Sequence, residues 1–189
     1  APGGKLVASA TGIKNLGEKG VFSQQVSFKS PVLWSPGSPK LYTAQSFLTA
    51  NGKPADNYKT VFGIRSLRFD AKKGFSLNGE HILIKGVCMH HDLGPLGSAV
   101  NSAAIKRQLA ILQEMGCNGI RTSHNPPAPE LLDMADRMGF LVIDEAFDEW
   151  RIKKCPNGYN KLFDEWAEKD LRAMIKRDRN HPSVIIWSI

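Results

Sequence analysis

Near residue 70 the spacing of apolar residues changes character, and no other feature narrows the fold as much. A period of two alternates side chains across a strand, whereas apolar residues three and four apart line one face of a helix. Before residue 70 the chain reads as short alternating segments: VFSQQVSF at 21–28, LYTAQSFL at 41–48 and TVFGIRSLRF at 60–69. The turn clusters PGSP at 36–39 and NGKP at 51–54 separate them. This pattern predicts about four strands of an antiparallel sandwich over residues 1–69. An immunoglobulin-like sandwich needs about seven, so the front of that domain is expected to lie outside this chain.

After residue 70 strands and helices alternate. FSLNG at 75–79 predicts a small hairpin turning at Asn78-Gly79. Strands are expected at 81–87, 118–121, 140–144 and 183–189. Helices are expected at 101–115, with Ile105, Leu109 and Leu112 on one stripe and Gly116 as its stop, at 129–138 between Pro129 and Gly139, and at 161–179, with Phe163, Trp166, Leu171 and Ile175 turned inward. The order βαβαβαβ with continuous apolar strands means a parallel sheet covered by helices, here over residues 70–189. It suits either a doubly wound sheet or half of a (β/α)8 barrel. No glycine-rich turn follows the first strand, which disfavours the dinucleotide-binding version.

Composition removes several function classes. The 25 basic and 18 acidic residues leave a net charge of +7. The bases are scattered, with short clusters only at Lys153-Lys154 and Lys176-Arg177, so the basic-patch signature of a nucleic-acid surface is not met. No apolar run is long enough to span a membrane, and no signal peptide is visible at the N-terminus. Cys88, Cys117 and Cys155 are an odd count without CxxC spacing, against a disulfide framework or zinc knuckle. Periplasmic and cytoplasmic settings both fit.

In parallel α/β folds, sites form at the C-terminal edges of the strands. Those edges carry CMHHD at 88–92, RTSHN at 121–125, DEAFDEW at 144–150 and WSI at 187–189. His90 and His91 are adjacent and would point to opposite sides of a strand, which disfavours a metal pair; a bland reading makes His91 and Asp92 a local hydrogen-bonded pair. Ser123 beside His124 is not a triad arrangement, and no GxSxG elbow exists. What remains suits a sugar: His90, Arg121, His124, Asn125, Asp144, Glu145 and Asp148 are hydrogen-bonding groups, and Trp150 offers an apolar face. Glycoside cleavage takes two carboxyl groups. Asp144 and Glu145 adjoin on one strand, so their side chains diverge; Asp144 is expected to face the barrel and Glu145 to brace its neighbours.

These residues resemble glycoside hydrolase family 2, which includes β-galactosidases, β-glucuronidases and β-mannosidases. PVLWSP at 31–36 and PKLY at 39–42 look like that family's sandwich segment, and FGIR at 62–65 like the strand leaving it. FSLNG at 75–79 and KGV at 85–87 are similar to the lead-in of its barrel. GIRTSHNP at 119–126, VIDEA at 142–146 and NHPSVIIWS at 180–188 match its second strand, its third strand and the approach to its catalytic Asn-Glu pair. The resemblance is strongest to the β-galactosidase branch, through DEAFD at 144–148.

The resemblance implies an immunoglobulin-like sandwich domain over 1–69, followed by the first four strands of a TIM barrel over 70–189. It implies retaining cleavage of a terminal β-glycosidic bond in a carbohydrate substrate. The acid/base Glu and the nucleophile Glu would both fall beyond Ile189, so no catalytic residue is assigned here and the chain alone is expected to be inactive. Arg121 would hydrogen-bond the nucleophile. His90 and His124 would contact sugar hydroxyls, and Asn125, Asp144, Glu145 and Asp148 would line or brace the pocket. Some members bind magnesium through a Glu and a His after the third strand; Glu149 matches the Glu, but Arg151 stands at the place of the His, so no cofactor is assigned. A non-catalytic carbohydrate-binding or scaffold role is the alternative. An open half-barrel edge leaves room for a homo-oligomer in which two copies pair their edges.

Overall fold

In the computed structural model, which describes residues 1–13 and 20–189, antiparallel pairing gives way to parallel pairing along the chain. Strands β1 (Tyr42–Ala50) and β2 (Lys53–Phe62) form an antiparallel ribbon. Their two-residue turn has Asn51 at φ 51° and Gly52 at φ 73°, the left-handed pair whose twist matches a hairpin. Most of the ribbon is exposed. It is anchored at its base by Tyr42, which is buried, packs between Phe28 and Phe62, and accepts a hydrogen bond from the Val32 amide at 2.8 Å.

Two expectations for this region need correction. Residues 21–28 are assigned to no strand among the described residues and are mostly exposed. The long strand expected over 60–69 is two. It breaks after Phe62 and resumes as β3 (Leu67–Asp70). The break has a packing cause. A Cβ at Gly63 would lie 2.6 Å from the Pro182 ring and 3.0 Å from Trp34 Cβ, so backbone and barrel meet there at a distance only glycine allows. Arg65 then donates to the carbonyls of Pro182 and Val184. Trp34 is fully buried, receives the Asn78 amide on its carbonyl at 2.9 Å, and donates from Nε1 to the Asp136 carbonyl at 2.8 Å. The segment leaves its sheet because it is docked onto the next layer.

β3, β4 (Gly74–Leu77) and β5 (Glu80–His81) make a small antiparallel sheet, with Asn78 and Gly79 at positive φ in the expected turn. With Trp34, Leu141 and Ile185, their residues Phe75 and Leu77 form one of two cores.

β6 (Gly86–Met89), β7 (Gly119–Thr122), β8 (Leu141–Glu145) and β9 (Val184–Ser188) form a parallel sheet in the order β6-β7-β8-β9. Strictly sequential order decides between the two candidate architectures. A doubly wound sheet reverses direction at a switch point, whereas a barrel adds each strand beside the last. β6 starts later than expected: across 83–85 the Asn118 side chain accepts from the Lys85 amide at 2.7 Å and donates to the Leu83 carbonyl at 3.0 Å, beside the backbone bond from the Asn118 amide to the Lys85 carbonyl at 2.8 Å.

Helices α1 (Ser102–Glu114), α2 (Pro129–Met138) and α3 (Phe163–Asp178) make the crossovers. Asn101 caps α1 through the Ala104 amide at 3.0 Å, and Gly139 ends α2 at φ 81°. Ile105 and Leu109 of α1 and Leu131, Leu132 and Ala135 of α2 pack on Ile120, Val142 and Val184 to form the second core. α3 is rotated from its expected setting. Its buried residues are Met174 and Asp178, while Trp166 and Ile175 are 42% and 37% exposed. Counting apolar residues alone missed this, because the helix turns a charged residue inward where Arg177 grips Asp178 at 2.6 and 2.7 Å. No helix among the described residues is long and apolar enough to cross a membrane.

Candidate active-site wall

Strand alternation and one bulge decide which side chains meet inside the half-barrel. Arg121 in β7 and Glu145 at the end of β8 point to the concave side. Between β8 and β9 the register slips, so that Val142 pairs with Val184 but Ile143 with Ile186. That extra residue turns Ser188 to the same side as Glu145.

Glu145 is the hub. Its carboxylate takes Nε and Nη2 of Arg121 at 2.7 Å each, Nδ1 of His124 at 2.9 Å and Oγ of Ser188 at 2.9 Å. Its backbone amide donates to Thr122 Oγ1 at 3.0 Å, which ties the tips of β7 and β8 together. Burial opposes its charge, but the hydrogen bonds from Arg121, His124 and Ser188 outweigh it and hold the carboxyl below its usual range. An ionised carboxylate only accepts, so the proton of the His124 contact is assigned to Nδ1, leaving Nε2 as the ring's second polar atom. His90 meets His124 edge to face, with centroids 5.3 Å apart. The Ser123–His124 peptide is cis. Asn125 accepts the His124 amide at 3.1 Å and lines a small cleft beside α1. The Lys154 ammonium, bonded to Asp148 Oδ1 at 2.6 Å, holds that carboxyl below the ordinary range.

Asp144 is elsewhere. It was expected to face the barrel with Glu145 bracing its neighbours, and the parity of β8 reverses the two. Asp144 points into the helix layer beside the end of α3, fully buried; no N–H or hydroxyl reaches its oxygens, and its hydrogen-bonding neighbour is the Asp178 carboxyl. Burial, then the negative charge of Asp178, push its pKa up to about 7. His91 and Asp92 do not pair: His91 Nε2 contacts the Ser98 carbonyl at 2.8 Å, and Asp92 accepts the Gly94 amide at 2.7 Å. Each meets a backbone group of its own loop instead.

The donors that would hold magnesium are engaged elsewhere. The Glu149 carboxylate is occupied by the backbone amides of Lys154 at 2.6 Å and Asn160 at 2.9 Å. Arg151 turns to Asp164 at 2.7 Å. Among the described residues no group of three His, Cys, Asp or Glu is placed to hold a metal ion. These residues do not fit the cation.

A family profile described as "Glycosyl hydrolases family 2, TIM barrel domain" matches residues 70–189, and another described as "Glycosyl hydrolases family 2" matches residues 1–65. The chain belongs to glycosyl hydrolases family 2. Family 2 membership makes the fold a partial immunoglobulin-like sandwich followed by part of a TIM barrel. Among family 2 relatives, a protein named beta-galactosidase from Bacteroides ovatus is 57% identical over 180 residues, 95% of this chain and 21% of that protein. One named putative beta-glucuronidase from Formosa agariphila is 45% identical over 168 residues, 88% of this chain and 16% of that protein. The crystal structure of a beta-glycosidase from Bacteroides vulgatus superimposes with a TM-score of 0.84 at 45% identity, over 87% of this chain and 21% of that one. The chain thus spans about a fifth of the relatives it matches.

Ser188 and Lys154 join the site without having been singled out as members. Ser188 enters through the bulge, which leaves no mark in the apolar pattern. Lys154 belongs to one of the two short basic clusters, whose spacing carries no sign of a role at the pocket.

Proposed function

We propose that this chain forms one wall of the sugar pocket of a retaining β-glycosidase, of β-galactosidase type. The four-membered grip of Arg121, His124 and Ser188 on Glu145 at the strand tips carries the reading. It fixes planar donors and acceptors on a rigid sheet edge, as recognition of a polyhydroxylated ring requires. In this reading His90, His124 and Asn125 meet sugar hydroxyls. Arg121, Glu145 and Asp148 shape and polarise the pocket, and Asp144 supports it from behind. Arg121 at the tip of β7 and Lys154 in the loop after β8 are each neutralised by a carboxylate. That suits an uncharged sugar better than a uronate, and agrees with the identity to the Bacteroides ovatus protein.

Retaining hydrolysis needs two carboxyl groups about 5 Å apart acting as nucleophile and acid/base. Glu145 is committed to Arg121, His124 and Ser188, and Asp148 to Lys154, so we infer that the 189-residue chain alone does not turn over substrate. The test has two arms. Saturation-transfer NMR of the chain with methyl β-galactoside and methyl β-glucuronide should show contact with the galactoside; preference for the glucuronide would overturn the sugar assignment. Nitrophenyl β-galactoside should stay uncleaved by the chain and be cleaved when it is expressed with its flanking sequence. Turnover by the chain alone, free of host enzyme, would overturn the division of labour.

A further inference from the structure

The loop after β8 is folded around an anion. Glu149 is buried, although nothing in its sequence setting asks for a buried carboxylate. Its Oε2 accepts the Lys154 amide at 2.6 Å and its Oε1 accepts the Asn160 amide at 2.9 Å. The carboxyl lies below its usual range chiefly through the Asn160 amide, and the amide of Cys155 adds a smaller pull. Gly158 passes so close that a Cβ there would fall 1.5 Å from Glu149 Oε1. The closed loop has two consequences. It stacks Tyr159 on Phe147 at 5.2 Å, and it brings Lys154 Nζ to Asp148 Oδ1 at 2.6 Å.

We propose that Glu149 is a positioning residue: its carboxylate, wrapped by peptide N–H groups instead of a divalent cation, closes the 149–160 loop and thereby delivers the Lys154 ammonium to Asp148 at the pocket mouth. Peptide N–H groups converging on a carboxylate give charge-assisted hydrogen bonds, stronger than neutral ones. Both oxygens engaged in this way have little left to offer a metal. The inference rests on the proposed sugar pocket only in its last step, the role of Asp148.

Hydrogen exchange on the whole chain reads the loop directly. The amides of Lys154, Cys155 and Asn160 should be equally protected with chelator or with millimolar magnesium. Glu149→Ala should speed their exchange about ten- to a hundred-fold, the size expected for losing hydrogen bonds to a charged acceptor. Glu149→Gln, keeping one acceptor oxygen, should restore part of that protection. Should Glu149→Ala fail to fold, Gly158→Ala serves in its place: it should open the loop in the wild type through its clash with Oε1. In folded double variants it should add little to Glu149→Ala. The positioning step has its own signature. Lys154→Met and Gly158→Ala, which opens the loop and leaves the Glu149 charge in place, should each raise the Asp148 pKa in a carboxyl-detected NMR titration, and together raise it no further. Protection that appears only with magnesium, protection unchanged in Glu149→Ala, or an unmoved Asp148 titration would overturn the proposal. Loss of sugar binding by the wild type with the loop intact would instead sink the sugar reading alone.

Discussion

Asp144→Asn offers the sharpest test of the packing behind the site. Asp144 is fully buried, receives no hydrogen bond from an N–H or hydroxyl group, shares its pocket with the Asp178 carboxyl, and its pKa rises from 3.8 to about 7. A raised carboxyl pKa means that the folded chain keeps a proton which the unfolded chain releases. Stability therefore falls as pH climbs from about 4 to 7 and stays low above that. At about 1.4 kcal/mol per pH unit, a rise of about three units amounts to about 4 kcal/mol at pH 8. Asparagine has nearly the same shape and no charge at any pH, so the variant should lose this slope. Urea unfolding from pH 4.5 to 8.5 would measure it. The two proteins should be of similar stability at the acid end, and the variant should be the more stable by about 2–4 kcal/mol at the alkaline end. His181 titrates in the same span. Burial works against its charge, but the hydrogen bond to Asp136 at 2.6 Å outweighs burial and raises its pKa. The stability it contributes is also lost as pH rises, in both proteins, so the difference between the two curves reports Asp144 together with its coupling to His181 and Asp178. Parallel curves would refute the reasoning and mean that Asp144 is ionised in the folded chain.

Three further outcomes follow from particular contacts. Arg121→Met removes two hydrogen bonds from Glu145, so the Glu145 pKa should rise in an NMR titration and galactoside binding should weaken roughly tenfold, the worth of one charge-assisted bond. Trp34→Ala empties a fully buried site and breaks the bond to the Asp136 carbonyl; urea unfolding should show a loss of about 3–5 kcal/mol, with Trp34→Phe costing less. Gly63→Ala drives a methyl group against Pro182 and Trp34, and should cost about 1–3 kcal/mol in the same assay, whereas Gly37→Ala, with open space around it, should cost far less.

Much of the architecture could be read directly from residue order. The switch from period two to βαβ alternation, the Asn78-Gly79 turn, and the Pro129 start and Gly139 stop of α2 are local signals, set by backbone sterics within a few residues. The grouping of His90, Arg121, His124, Glu145 and Asp148 at the strand tips followed from topology, because parallel strands send their ends to one edge. Tertiary structure decided the rest. The lumen belongs to Glu145, and Asp144 lies behind it, because the pairing of β8 with β7 fixes the parity of β8, while the slip within β9 brings Ser188 to the same side; a shift of one residue exchanges the two faces. α3 turned Asp178 inward where Arg177 offsets part of the cost of burying its charge, which hydrophobic spacing does not record. The strand expected over 60–69 broke because Gly63 had to pass Pro182, a residue more than a hundred positions away. Local chemistry chose the elements, and contacts distant in sequence chose which of their faces meet.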